Sequence, residues 1–180
     1  MDHLYAAPVL TSYFQSRAFD PADIVVVSPD EGSIKRAIGH SKRIGGKLAI
    51  VDKVRDNALQ TQQKYIIGGP VEGKICLMFD DMISTGGSIC GAAKLVHEAG
   101  AKEIHLAATH GVLCGPAIDN IKKAPINSLV ITNTIPLPPE KRLDNIQVLT
   151  VAPLLAEAIR RIHSNRSISQ MFTSGDEGNG

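Results

Sequence analysis

ICLMFDDMISTGGSI, residues 75–89, runs from an apolar stretch through two adjacent carboxylates into a turn rich in hydroxyls and glycine. The segment KICLMF (74–79) is apolar on both faces. A strand of that kind belongs in the middle of a parallel sheet that is covered by helices on both sides. The turn after it leads into a helix that Ser88 can cap, running to His97 or Glu98 and stopping at Gly100.

The flanking sequence repeats this strand-then-helix pattern. DIVVVS (23–28) reads as a buried strand, and Gly32 to Ile44 as a helix with Ile34, Ala37, Ile38 and Ile44 at helical spacing. KLAIVD (47–52), EIHLAATHG (103–111), SLVITN (128–133) and IQVLTV (146–151) are further strands. Gly115 to Lys123 reads as a short helix with Pro116 in its first turn. Ala152 to His163 carries Leu154, Leu155, Ala158, Ile159 and Ile162 on one stripe and reads as a closing amphipathic helix. Residues 53–63, polar and without a period, are the candidate mobile loop. The order predicts an α/β fold: a parallel sheet flanked by helices in one domain, residues 1–172, with a disordered tail at 173–180.

Composition bounds the function. The formal net charge is +1, so there is no broad electrostatic footprint for nucleic acid or an anionic membrane, and any basic site must be local. No apolar run approaches the ~20 residues of a membrane span, and the first residues lack the pattern of a secretory signal. Cys76, Cys90 and Cys114 are odd in number and lack C-x-x-C spacing; they read as reduced, buried thiols of a cytoplasmic protein.

In an α/β sheet of this kind, ligands bind at the carboxyl ends of strands, where loops meet helix N-termini. Three such loops carry polar chemistry here: those after Val27, Val51 and Phe79. In the third, Gly86 and Gly87 let backbone N–H groups approach an anion, and Ser84, Thr85 and Ser88 add hydroxyls. Asp80 and Asp81, at the strand end, would repel a phosphate but suit sugar hydroxyls or Mg²⁺. A phosphate at one end with hydroxyls or a metal at the other describes a sugar phosphate. Without its apolar strand and glycines, the same pair of acids would be an ordinary capped turn. The loop is neither a Walker motif nor G-x-G-x-x-G.

In the first loop, SPDEGSIKR (28–36), Asp30 can hold a divalent cation while Gly32 and Ser33 meet a phosphate, with Lys35 and Arg36 adding charge. Taken alone it is an ordinary turn and helix start. In the second, DKVR (52–55), Lys53 and Arg55 fall on one side of an extended chain. Two cations there can close over a charged transition state, or can be solvated surface charges. His110 ends a strand and can line the cleft or be structural; His97 and His105 lack partners at metal-ligand spacing. No G-x-S-x-G elbow supports a hydrolase triad.

Taken together, DHLYAAPVL, VVVSPDEGSIKRA, DKVR, VEGK, DDMISTGGSI, ATHGVLCGPAI, TNTIPLP and LLAEAIRRIH resemble the ribose-phosphate diphosphokinase (phosphoribosyl pyrophosphate synthetase) family, in its order, from Asp2 to about Phe172. The resemblance is to the carboxyl-terminal half only. It implies a type I phosphoribosyltransferase-like fold, and transfer of the diphosphoryl group of ATP, with Mg²⁺, to the 1-hydroxyl of ribose 5-phosphate. It gives Asp80 and Asp81 to the ribose hydroxyls, Ser84, Thr85, Gly86, Gly87 and Ser88 to the 5-phosphate, Asp30 to the metal, Lys53 to catalysis and Arg55 to substrate and transition state. It further implies a homo-oligomer, dimers building hexamers.

Two departures qualify the resemblance. Ser84 stands where the family usually has aspartate, and Val54 replaces the middle residue of a basic triplet. The amino-terminal half, which in the family supplies a metal-binding histidine and much of the ATP pocket, has no counterpart in the sequence. A non-catalytic sugar-phosphate-binding half and a stand-alone phosphoribosyltransferase therefore remain as alternatives.

Overall fold

The computed structural model describes the backbone of residues 3–55 and 62–173, and side chains except those of 53–55, 62–64 and 173. In chain order the elements are α1 (Ala7–Ser16), β1 (Ile24–Ser28), α2 (Ile34–Ile44), β2 (Lys47–Arg55), β3 (Gln62–Gly68), β4 (Ile75–Ile83), α3 (Gly87–Glu98), β5 (Glu103–Gly111), α4 (Ala117–Lys123), β6 (Ser128–Thr132), β7 (Ile146–Leu149), α5 (Ala152–His163) and α6 (Gln170–Thr173).

One seven-stranded sheet has the order β3-β2-β1-β4-β5-β6-β7. The apolar strand around Leu77 is its centre. β4 pairs in parallel with β1 through Ile24↔Ile75 to Val27↔Met78, and with β5 from Ile75↔Glu103 to Ile83↔Gly111. The α/β architecture expected from the alternating strands and helices is the one adopted, with one exception. β3 runs antiparallel to β2 at the edge, with Ile50↔Ile67 and Asp52↔Tyr65 in register. A parallel strand needs a long crossover connection, whereas an antiparallel one needs only a turn.

The inner strands are buried on both faces, which is why they read as unbroken apolar runs. Val25, Val27, Cys76, Met78, Leu106 and Ala108 pack with Ile89, Ala93, Val96 and Ile121 on the α3–α4 side. Ile24, Val26, Leu77, Phe79 and Ala107 pack with Leu10, Phe14, Ala37 and Ile44 on the α1–α2 side.

Several expectations are corrected. β2 continues through Arg55 and β3 begins at Gln62, so part of the expected 53–63 loop is strand; 56–61 lie outside the described residues, and of the expected 173–180 tail Thr173 ends α6 while 174–180 lie outside them. β4 continues through Asp80 and Asp81 to Ile83, so the acids sit on the strand rather than past its end. α2 starts only after a 3₁₀ turn at Glu31–Ser33, and its Ile38 is exposed while His40 is buried. α5 has the expected bounds, but Leu155, Ile159 and Ile162 on its apolar stripe are exposed; Ala158 is buried. Cys76 and Cys90 are buried, and Cys114 is exposed. No helix among the described residues is long and apolar enough to cross a membrane.

Candidate functional site

The strand order sets the place of the site. The chain leaves β1 toward β2 on one side and leaves β4 toward β5 on the other, so β1 and β4 flank the point where the winding direction switches. Loops at their carboxyl ends diverge there and open a crevice. The turn of residues 28–33 and the turn of residues 84–88 are these two loops.

At the first, Ser28 Oγ donates to the Asp30 carbonyl (2.7 Å), and Asp30 Oδ1 accepts from the Ser33 amide (2.9 Å). Asp30 thus caps the 3₁₀ turn that starts the climb into α2. The cap fixes one carboxylate oxygen.

One turn further along α2, Arg36 reaches across to β4. Its Nη1 donates to Asp80 Oδ1, and its Nη2 pairs with Asp81 Oδ1 at 3.1 Å. Nη1 also lies 3.4 Å from Ser33 Oγ. A planar guanidinium can bridge two carboxylates in this way, where a single ammonium could not hold the same fork. The acids are inequivalent. Burial and the hydrogen bond that its protonated form donates to Asp81 push the Asp80 carboxyl up to about 6, against the pull of Arg36. The hydrogen bond with Asp80 draws Asp81 below its ordinary value. Two neighbouring carboxyls cannot both ionise cheaply, and the drier one retains its proton to higher pH.

The 84–88 turn is built to turn its carbonyls inward. Ile83 O accepts from Leu113 N (3.0 Å), Ser84 O from Cys114 N (2.9 Å), and Thr85 O from Asn120 Nδ2 (2.9 Å). Leu113, buried, holds a φ of 48° to make its contact, a left-handed conformation that a leucine adopts only under constraint. Gly86, at φ 73°, is the N-cap of α3 in place of the expected Ser88. No side chain caps that helix, so N–H groups of its first turn remain for an anion. Ser84, Thr85, Gly87 and Ser88 are exposed around it.

A cleft of about 460 Å³ opens beside the acids, with Arg36, Asp80, Asp81, His110 and Thr134 in its wall. His110 Nδ1 lies 2.9 Å from Thr134 Oγ1, so this histidine both lines the cleft and is hydrogen-bonded. The structure therefore joins Asp80 and Asp81 to two residues that sequence reasoning had placed less well. The sequence gives Arg36 only nearby charge, and leaves His110 open between lining the cleft and a structural role. Residues 84–88 do not line this cleft; they lie at the end of the same strand. Asp30 is linked to it through Ser33 and Arg36. Lys53 and Arg55 lie on β2, in register with Lys64 and Gln62 of β3; their side chains are outside those described. Among the described residues, no group of three or more His, Cys, Asp or Glu could hold a metal ion by itself.

Residues 56–173 match the model of the phosphoribosyl synthetase-associated domain. The chain is 69% identical over 172 residues to a ribose-phosphate pyrophosphokinase of Rhodopirellula baltica, covering 96% of this chain and 54% of that protein. It is 48% identical over 173 residues to the ribose-phosphate pyrophosphokinase of Caldanaerobacter subterraneus subsp. tengcongensis, with the same coverage. The chain thus spans about half the length of the curated relatives it matches. The phosphoribosylpyrophosphate synthetase of Mycobacterium smegmatis superimposes with a TM-score of 0.81 at 39% identity, over 91% of this chain and 52% of that one. A chain-long match in sequence, a match in fold at well above chance identity and a family model covering most of the residues agree: the chain belongs to the phosphoribosyl synthetase family.

Proposed function

We propose that this chain carries the ribose 5-phosphate site of a ribose-phosphate diphosphokinase, as the carboxyl-terminal half of that enzyme. The observation that carries the reading is the pairing, along the one strand β4, of a clamped Asp80–Asp81 pair with an uncapped helix start behind Gly86. Carboxylates accept from sugar hydroxyls, and a helix N-terminus favours a phosphate. A pentose phosphate presents both groups, one at each end.

In this reading the N–H groups and hydroxyls of Ser84, Thr85, Gly86, Gly87 and Ser88 hold the 5-phosphate, and Asp80 and Asp81 orient the ribose. The sugar's 1-hydroxyl oxygen bonds to the β-phosphorus of ATP and gives up its proton to water, the bond from that phosphorus to the α-phosphate oxygen breaks, and AMP leaves. Lys53 and Arg55 balance the negative charge that develops on the transferred diphosphoryl group. Asp30 suits Mg²⁺: a capped carboxylate with one oxygen fixed is the kind of single protein ligand that Mg²⁺ combines with substrate phosphates and water. The ion would supply charge neutralisation on the diphosphate. Ser84, in place of a carboxylate, leaves the phosphate turn less negative.

Calorimetry with ribose 5-phosphate and an assay of ribose 5-phosphate-dependent AMP release test the reading. Binding with a 1:1 stoichiometry supports it, and no binding to ribose 5-phosphate or phosphoribosyl diphosphate rules it out. The half-length match favours a second reading, a half that binds the sugar phosphate without turning it over; binding with no AMP release distinguishes that case. Base-dependent diphosphate release would point to a phosphoribosyltransferase instead. The same family reading carries a cytoplasmic location and a homo-oligomer, which sedimentation would register as more than one chain's mass.

A further inference from the structure

Asp80 and Asp81 stand side by side on β4, and two neighbouring carboxylates repel each other unless a cation holds them. Arg36 lies between them and the turn of residues 28–33. It contacts Asp80, Asp81 and Ser33, and Ser33 in turn donates its amide to Asp30. Its guanidinium crosses the switch point between the β1 and β4 ends. Its side chain is 31% exposed, so it is not a core residue whose loss must unfold the chain.

We propose that Arg36 is a positioning residue for the sugar end of the site, which rests on the ribose 5-phosphate reading above. Its two-armed contact fixes the direction in which Asp80 and Asp81 present their oxygens. Asp80 Oδ1 is already taken by Arg36 and by the Asp81 amide (2.9 Å), so the carboxylate cannot rotate freely. Recognition of the ribose hydroxyls, rather than of the phosphate, is what depends on Arg36. The other ionisable side chains in this wall are engaged elsewhere: His40 bonds Thr11, His110 bonds Thr134, and His3 and Tyr5 stack on one another.

The test is calorimetric titration of the whole chain and its Arg36→Met and Arg36→Lys variants with ribose 5-phosphate, 2-deoxyribose 5-phosphate and inorganic phosphate. A hydroxyl bonded to a charged group is worth roughly a tenfold or larger preference for the ribose compound. Arg36→Met is expected to lose that preference while phosphate binding stays within about twofold, as the α3 start is untouched. Arg36→Lys keeps the charge but not the fork, and is expected to fall between the two. A merely structural role would lower all three ligands together. Wild-type preference in Arg36→Met, or full preference in Arg36→Lys, overturns the proposal, as does a parallel loss for all three ligands. Should the unaltered chain bind none of them, the ribose 5-phosphate reading fails with it; binding by the unaltered chain isolates the failure to Arg36.

Discussion

His40 of α2 stacks flat on Phe79 of β4, ring centroids 3.7 Å apart and planes 8° from parallel. Its Nδ1 lies 3.2 Å from Thr11 Oγ1 of α1. One imidazole thus joins two helices to the central strand, directly under the acids at 80 and 81. Burial, helped by Arg43 and Arg36, lowers its pKa from 6.5 to about 3. The folded state accepts only the neutral ring over that window, while the unfolded chain takes up a proton. The stability His40 contributes is therefore complete above 6.5 and is lost as pH falls toward 3. One extra proton on the unfolded chain costs about 1.4 kcal/mol per pH unit, so moving from pH 7 to pH 5 removes about 2 kcal/mol. Urea midpoints at the two pH values measure this, and His40→Gln should flatten the dependence. His105, also lowered by burial, adds a slope of the same sign, and Asp80, raised to about 6, adds one of opposite sign; both survive the substitution, so the difference between the two chains isolates His40. An unchanged dependence in His40→Gln would remove the ring from the account.

Gly111 ends β5 with no room for a side chain. A Cβ there would sit 2.6 Å from Ile131 Cδ1 and 3.1 Å from its Cγ2, and Ile131 is fully buried. Gly111→Ala is expected to destabilise by about 1–3 kcal/mol through overpacking. Ile131→Val deletes the clashing Cδ1 at its own cost of about 0.5–1.5 kcal/mol. The double variant should then be at least ~0.5 kcal/mol more stable than the sum of the singles, measured by denaturant unfolding. Strict additivity would mean that the backbone, and not Ile131, absorbs the added methyl.

The sequence makes the inner strands and α5 legible because each holds a run of one period: β1 and residues 75–79 of β4 unbroken and apolar, α5 with a helical stripe. What it conceals is anything fixed by partners distant in the chain. β3, QQKYIIG, carries too few apolar residues to look like a strand; it is ordered by pairing with β2 at an edge that solvent can reach. α1 went unassigned although Leu10 and Phe14 stand one turn apart and are both buried. The apolar stripe of α5 shows the converse: period identifies a helix but does not say whether its face is covered. In the candidate site, residue types nominated Asp80, Asp81 and the 84–88 turn. The bridge from Arg36 was not visible, because residues 44 apart meet only once β1 and β4 lie side by side.

Gly86 is the residue on which the conformation of the 84–88 turn depends. An alanine at φ 73° costs about 1–2 kcal/mol of backbone strain. The added Cβ itself meets only Cys90 Sγ at 3.6 Å and Ile83 Cγ2 at 3.8 Å, ordinary contacts. Gly86→Ala should therefore fold, with a melting point lower by about 2–8 °C. If the helix start holds the 5-phosphate, the shifted amides should weaken ribose 5-phosphate by roughly tenfold and inorganic phosphate in parallel. Unaltered phosphate affinity in a destabilised but folded variant would move the anion site away from this turn.

Lys53 tests the division between binding and chemistry. It lies on β2, with β1 between that strand and β4 in the sheet, and outside the 84–88 turn. A cation that acts on charge developing during transfer contributes in the transition state and little in the ground state. Lys53→Ala in this chain should leave ribose 5-phosphate affinity within about threefold. In a two-domain enzyme carrying this half, the same change should lower kcat on the order of 10² or more, with a much smaller change in KM for the sugar. The two measurements answer separate questions, the first by calorimetry and the second by steady-state AMP release. Equal losses in affinity and turnover would make Lys53 a substrate-binding residue, and would shift the burden of charge stabilisation to Arg55, whose own alanine variant would then show the larger fall in kcat.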